Sequence, residues 1–263
     1  MLGDGGTLSF TTAPDWLAEN MSDAEYLDAM RLSFGQPIID NPLGQETRCT
    51  CAVNDRPCLE DPAHFSHPLS CNKNKPHFTV ASSKVEYLLG RFLKAALPNT
   101  IIEKQPVIGH RIRADGTLGG HVIGDILVTL PSGEKQVIDV AIVDNTGRRY
   151  LDRADSHVVQ NGAASFIEAE KRTKYTNVST ANGQQFNLDR FVPFVVERTG
   201  RLGTAAISFL NHFTVPSPPQ VHATALRSQL LKSIAFWMAV FNGRMIGDTR
   251  RRALQAGQPA HGG

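Results

Sequence analysis

Two apolar, β-branched runs, Gly124-Asp125-Ile126-Leu127-Val128 and Val137-Ile138-Asp139-Val140-Ala141, flank the turn Pro131-Ser132-Gly133, and each carries one aspartate seven residues from Ser132. Such a pattern reads as an antiparallel hairpin. If the register centres on Ser132, residues whose numbers total 264 pair, and Asp125 stands opposite Asp139 on one face. Their Cβ atoms would lie roughly 4.5–5.5 Å apart. Two carboxylates that close, among Ile, Val and Leu, are costly unless a positive charge sits between them. Magnesium suits the position, because it takes one or two protein carboxylates and completes its shell with water and phosphate oxygens. A slip of one residue would put the aspartates on opposite faces, leaving them as polar residues of a solvated edge hairpin.

Around this hairpin the hydrophobic period predicts helices at 22–34, with Tyr26, Leu27, Met30 and Phe34 in a stripe, and at 82–96, with Val85, Leu88, Leu89, Phe92 and Leu93. The period then changes to 2, predicting strands at 100–107, 111–113, 123–130 and 136–143, with a turn at Asp115-Gly116. Helices follow at 163–175, 204–213 and 221–242, with a short apolar strand at 191–196 between the first two and a frayed basic tail of ~15 residues at the end. This order predicts an α/β fold, a mixed sheet flanked by helices. The expected divisions are a helical lead-in at 1–46, a zinc knuckle at 47–77, an α/β domain at 78–215, and a C-terminal helix with tail at 216–263.

All four cysteines, Cys49, Cys51, Cys58 and Cys71, fall within 23 residues, with His64 and His67 among them. The first twenty residues carry Asp4, Asp15 and Glu19 rather than a basic stretch and an apolar core, so no secretory signal is expected. A disulfide framework is then disfavoured against zinc, and inert thiols are the other alternative. Cys49-Thr50-Cys51 and His67-Pro68-Leu69-Ser70-Cys71 form two close pairs bracketing a loop, which predicts zinc on Cys49, Cys51, His67 and Cys71. Cys58 or His64 can replace one member of that set.

With 41% hydrophobic and 20% charged residues, the composition is that of a folded chain. The charge-free stretch 202–226 is broken by three prolines, so no membrane span is expected, and the compartment reads as intracellular. Residues 1–48 hold 8 acids and 2 bases, leaving 17 acids and 25 bases beyond them. That basic remainder is where a polyanion such as DNA would bind, with Arg111, Arg113, Arg172 and Lys174 as candidate contacts. On the helix at 163–175, Lys171 and Tyr175 share a face with Ala164 and Ile167, the side expected to pack on the sheet. A lysine there can position an attacking water or stabilise phosphate, or it can make an ordinary salt bridge to an aspartate.

Asp125, Asp139 and a lysine on the following helix resemble the PD-(D/E)xK nuclease superfamily, in the variant whose lysine has left the second strand; Ala141 stands where that lysine would be. The wider order is similar to the C-terminal region of non-LTR retrotransposon reverse transcriptases, a zinc knuckle followed by a restriction-endonuclease-like domain. The matching stretches are Tyr26 to Gly35, Cys49-Thr-Cys51, Asp61 to Cys71, Ile102-Glu103, Gly124-Asp125-Ile126, Ile138-Asp139-Val140, Ala169 to Tyr175, and Phe191 to Gly200. The resemblance implies that Asp125 and Asp139 hold Mg2+ or Mn2+, that Lys171 assists the nucleophile, and that Tyr175 and Glu103 belong to the site. It also implies a nuclear location, DNA as substrate, and element RNA and a separate reverse transcriptase as further partners. The chain departs from the pattern at Ile123-Gly124, where the family has Arg-Pro, at Lys75-Pro76-His77, which replaces Arg-His, and in having no polymerase region within its 263 residues. The expected function is nicking of target DNA for retrotransposon integration. A catalytically inactive or domesticated nucleic-acid-binding module is the alternative, and a purely structural interaction protein ranks third.

Overall fold

The computed structural model describes residues 52–53, 56–57, 71–145, 150, 161–212 and 220–256. Two short strands, β1 (Ala52–Val53) and β2 (Arg56–Pro57), pair antiparallel. Helix α1 (Lys75–Ala96) precedes β3 (Ile101–Lys104), β4 (Val107–Ile112), β5 (Leu118–Ile123), β6 (Ile126–Thr129) and β7 (Lys135–Val143). Then come α2 (Gly162–Thr176), β8 (Val178–Ser179), β9 (Phe191–Glu197), α3 (Thr204–His212) and α4 (Gln220–Ala256). The expected helix at 22–34 lies outside the described residues.

A four-stranded mixed sheet runs β3-β6-β7-β9, antiparallel except for the β7/β9 pair. The parallel pair requires a crossover, which α2 supplies. Strands β6 and β7 pair Ile126 with Ile138 and Leu127 with Val137, the register centred on Ser132. Gly133 closes the turn at φ 83°, a conformation that glycine adopts without steric cost.

Both faces of the sheet are covered. On one, Ile126, Val128, Ile138, Val140, Phe194 and Val196 pack against Val85 and Leu89 of α1, Phe209 and Leu210 of α3, and Ile234 and Met238 of α4. On the other, Val137 and Leu127 meet Tyr175, Phe186 and Phe191, while Val143 and Val195 meet Ala163 and Ala164 of α2. Burying one such large side chain is worth roughly 1.5–3 kcal/mol. A one-residue slip would exchange the two sets, so the packing fixes which face the aspartates take.

The structure departs from the sequence expectations at four places. The strand expected over 100–107 ends at Lys104, where Gln105 turns at φ 51° ahead of Pro106, and the strand expected at 111–113 is the end of β4. Helix α1 begins at Lys75 rather than near residue 82, because Pro76 sits in the first turn, where its missing N–H and preset φ are tolerated. Strand β5 was not expected, since Gly119-Gly120 interrupts the period-2 pattern; it forms a second sheet in the order β5-β4-β8. Helix α4 runs to Ala256, well beyond the expected end at residue 242. Buried Asn74 ties that extension down, donating to Met245 O at 3.3 Å and Thr249 Oγ1 at 3.1 Å and accepting from Arg252 Nη2 at 2.7 Å. Because α4 shares the core of α1 and the sheet, residues 220–256 are part of the α/β unit and not an appendage to it.

Candidate active site

Asp125 is the residue just before β6, and its N–H donates to Ile138 O at 3.2 Å, one residue out of the register that pairs Ile126 with Ile138. Gly124 lets the chain enter there: a Cβ at this position would lie 2.8 Å from Val137 Cγ1. A proline or any other side chain at 124 would crowd Val137 in the same way. Asp125 Oδ2 accepts the Val140 N–H at 2.6 Å, and its carboxyl is within hydrogen-bonding reach of Asp139. Asp139 sits in β7, only 3% exposed.

From α2, Lys171 Nζ donates to Asp139 Oδ1 at 2.7 Å and to Val140 O at 3.3 Å. Lys174 Nζ donates to Asp139 Oδ2 at 3.3 Å. The sequence reading treated Lys174 as a surface DNA contact; the structure brings it onto the aspartate as well, one turn beyond Lys171. The helix turn that separates them is short compared with a lysine's four-carbon stem.

These surroundings divide the two carboxylates. Burial pushes the Asp125 carboxyl up to about 7, reinforced by the hydrogen bond and charge of Asp139 and by Glu86, against the Val140 N–H. Burial also opposes the charge on Asp139, but Lys171, by charge and hydrogen bond, with Asp125 and Lys174, holds it below the usual range. In the protein alone Asp139 is thus the stronger acid of the pair, and Asp125 keeps its proton further toward neutral pH.

Tyr175 is fully buried, stacked on Phe191 at 4.1 Å, and donates to Ile123 O at 3.3 Å. Burial, then the charges of Asp139 and Asp125, raise its phenol well above the ordinary tyrosine range. It therefore stays a neutral donor that props the strand end entering Asp125, and it is also within hydrogen-bonding reach of Asp139, which makes it a positioning residue of the site. Glu103 lies apart from this network. On edge strand β3 it pairs with Leu127 and points to solvent, and no hydrogen bond or ion pair joins it to the Asp–Lys network. Glu86 on α1, half-buried, is the acid that the sequence reading missed: burial raises its carboxyl, Lys104 lowers it and Asp139 raises it. Its signal was a charge three residues before Leu89, at the margin of the buried stripe of α1.

The donor set fits a hard divalent cation: two carboxylates within hydrogen-bonding reach of each other, and the Val140 carbonyl facing Lys171 in the same space. Among the described residues no three His, Cys, Asp or Glu side chains are grouped as a metal site, so the backbone carbonyl, water and substrate would complete the shell. Of the zinc set, Cys71 is described. It is buried, and its carbonyl accepts the Asn74 N–H at 2.9 Å as the chain turns into α1. Cys49, Cys51 and His67, with the alternates Cys58 and His64, lie outside the described residues. Arg111 and Arg113, beside the turn after β4, and Arg172 on α2 are all exposed. No described helix is long and apolar enough to cross a membrane.

The sheet and its acidic centre define a mixed α/β protein with a part-buried Asp–Asp–Lys constellation, Asp139 the most enclosed of the three. No known protein-family model matches the chain, and no curated protein does.

Proposed function

We propose that this chain is a divalent-metal-dependent DNA endonuclease with a restriction-endonuclease-like fold, which nicks target DNA as part of non-LTR retrotransposon integration. The observation that carries the reading is the approach of Lys171 to Asp139 within a hairpin that sets Asp125 beside it. Mg2+ or Mn2+, when bound, would polarise the phosphate and lower the pKa of an attacking water.

The residues supply the remainder. Asp125 and Asp139 hold the cation, Asp125 releasing its proton as they do so. Lys171 Nζ, freed from part of its contact with Asp139, orients the water or a phosphate oxygen through a charge-assisted hydrogen bond. Water oxygen bonds to phosphorus and gives up one proton to solvent, the P–O3′ bond breaks, and O3′ takes a proton from solvent water, giving a 3′-hydroxyl and a 5′-phosphate. Tyr175 fixes the strand end, and Lys174 with Arg111, Arg113 and Arg172 attracts the phosphate backbone. A zinc on Cys49, Cys51, His67 and Cys71 would brace the segment leading into α1.

The engagement of Asp139 by two lysines favours a second reading, in which ion pairs have replaced the metal and the chain only binds nucleic acid. Supercoiled plasmid incubated with the purified chain and Mg2+ or Mn2+ separates the two. Conversion to the nicked form supports the nuclease; binding without cleavage of any duplex, branched or single-stranded substrate supports the module.

A further inference from the structure

Beside the acidic centre, α2 and β4 enclose an open groove of about 570 Å³, in the size range of sites that take a small ligand or a nucleotide. Arg111 forms one wall, and Phe166, Glu170, Thr173, Lys174 and Asn177 form the other. The α2 residues are spaced as a single helical stripe. Lys174 belongs both to this wall and to the Asp139 carboxylate, so the groove is continuous with the proposed reaction centre. Tyr150 meets Phe166 edge to face, ring centroids 6.0 Å apart, which holds the Phe166 ring at the far end.

A duplex cannot offer a base face to a helix-borne ring without unpairing. A wall of one ring, two cations, an amide and a hydroxyl has the composition of single-strand sites, where cations follow phosphates and aromatic rings stack bases. Glu170 is the one acid on the wall, and it turns the phosphates between the two ends away from α2 toward solvent. From this arrangement we infer that the groove takes an unpaired DNA segment adjoining the scissile phosphate, with a base on Phe166 and a phosphate on Arg111. Phe166 precedes Lys174 by eight residues, about 12 Å of helix rise. At about 3.4 Å per stacked step, that places the base three or four nucleotides from the phosphate at Lys174. The substrate class is therefore a junction between duplex and single strand rather than plain duplex. This inference rests on the nuclease reading for the location of its scissile phosphate, but not for its test.

Binding is measured with the full zinc-loaded chain without added Mg2+ or Mn2+, where nothing is cut. The probes are a blunt DNA duplex and the same duplex with an unpaired DNA tail of about four nucleotides, 3′ in one arm and 5′ in the other. One tailed probe should bind about tenfold more tightly than the blunt one. Phe166→Leu, which keeps apolar bulk, should erase that preference and leave the blunt affinity unchanged, whereas Phe166→Trp should retain it. A 2-aminopurine in the tail should be quenched by the wild type and not by Phe166→Leu. Arg111→Ala should reduce the salt slope of tailed binding by about one and leave the quenching. Equal affinity for blunt and both tailed probes overturns the inference, as does an equal loss for all probes in Phe166→Leu. A tail of RNA bound about tenfold more tightly than DNA overturns the assignment to DNA. Tail-dependent binding by a chain that never cuts leaves this inference standing and sinks the nuclease reading; cleavage indifferent to tails does the reverse.

Discussion

Lys174 Nζ lies 3.3 Å from Asp139 Oδ2 while Lys171 Nζ lies 2.7 Å from Oδ1 of the same carboxylate. Two ammonium groups from successive turns of α2 thus hold one buried anion, and they are not equivalent. The Lys171 side chain is 22% exposed and that of Lys174 40%. The more buried lysine, which also reaches Val140 O, is placed for chemistry, and the outer one for the phosphate backbone.

Lys171→Ala should therefore lower nicking by at least about 100-fold with DNA affinity kept. Lys174→Ala should weaken DNA binding and reduce its salt slope by about one while retaining most cleavage at saturating DNA. Nicking rates and salt-dependent affinities of the two variants check this. Normal cutting by Lys171→Ala with loss in Lys174→Ala would exchange their roles.

Asp125 gives the metal-free protein a pH dependence of known sign. Its carboxyl is raised from the ordinary range to about 7, so the folded state favours its protonated form. That contribution is complete below the ordinary carboxylate pKa and disappears as pH rises through about 7. Without added Mg2+ or Mn2+, Asp125→Asn should melt a few degrees above wild type at about pH 8, with the gap narrowing steadily down to about pH 4. Saturating Mg2+ should raise the wild-type midpoint at the higher pH and leave Asp125→Asn unmoved. A gap that widens toward low pH contradicts the assignment of the proton to Asp125.

Tyr175 separates support from chemistry. Tyr175→Phe loses the hydrogen bond to Ile123 O and keeps the stack on Phe191, which should cost about 1 kcal/mol of stability and little cleavage. Tyr175→Ala opens the aromatic cluster and should cost about 3–5 kcal/mol. Denaturant melts alongside nicking rates measure both. A stable but inactive Tyr175→Phe would make the hydroxyl catalytic.

The hairpin was legible because a short turn and strict alternation leave one register that buries both faces; the ladder follows it as far as Ile126 and Ile138, and Asp125, just past that end, comes beside Asp139 without pairing in the ladder. Lys171 was legible for a similar reason, since the 3.6 period puts it with Ala164, Ile167 and Tyr175. Lys174 was not, because periodicity places a Cα and says nothing about how far a flexible ammonium swings. Glu86 stood next to an apolar stripe and carried no motif of its own. Glu103 was carried by resemblance alone, and edge strand β3 leaves it in solvent. The end of α4 was obscured because its arginines read as a solvated tail, whereas the partner that orders Arg252 is Asn74, 178 residues away.

One zinc per chain should be found by metal analysis of protein purified without chelator, if Cys49, Cys51, His67 and Cys71 ligate it. Cys71→Ser should lose that metal and destabilise the entry to α1, while Cys58→Ser and His64→Ala should be milder. Full zinc in Cys71→Ser removes this set.

The most direct measurement compares nicking and DNA binding in wild type, Asp125→Asn and Asp139→Asn with Mg2+ or Mn2+. The expected result is abolished nicking in both variants with DNA affinity intact or slightly tighter, because a negative charge facing the phosphate has been removed. Asp139→Asn with Lys171→Ala should be scarcely worse than either alone, as groups acting as one unit do not add. Cleavage at the wild-type rate by either asparagine variant would contradict a metal held between Asp125 and Asp139.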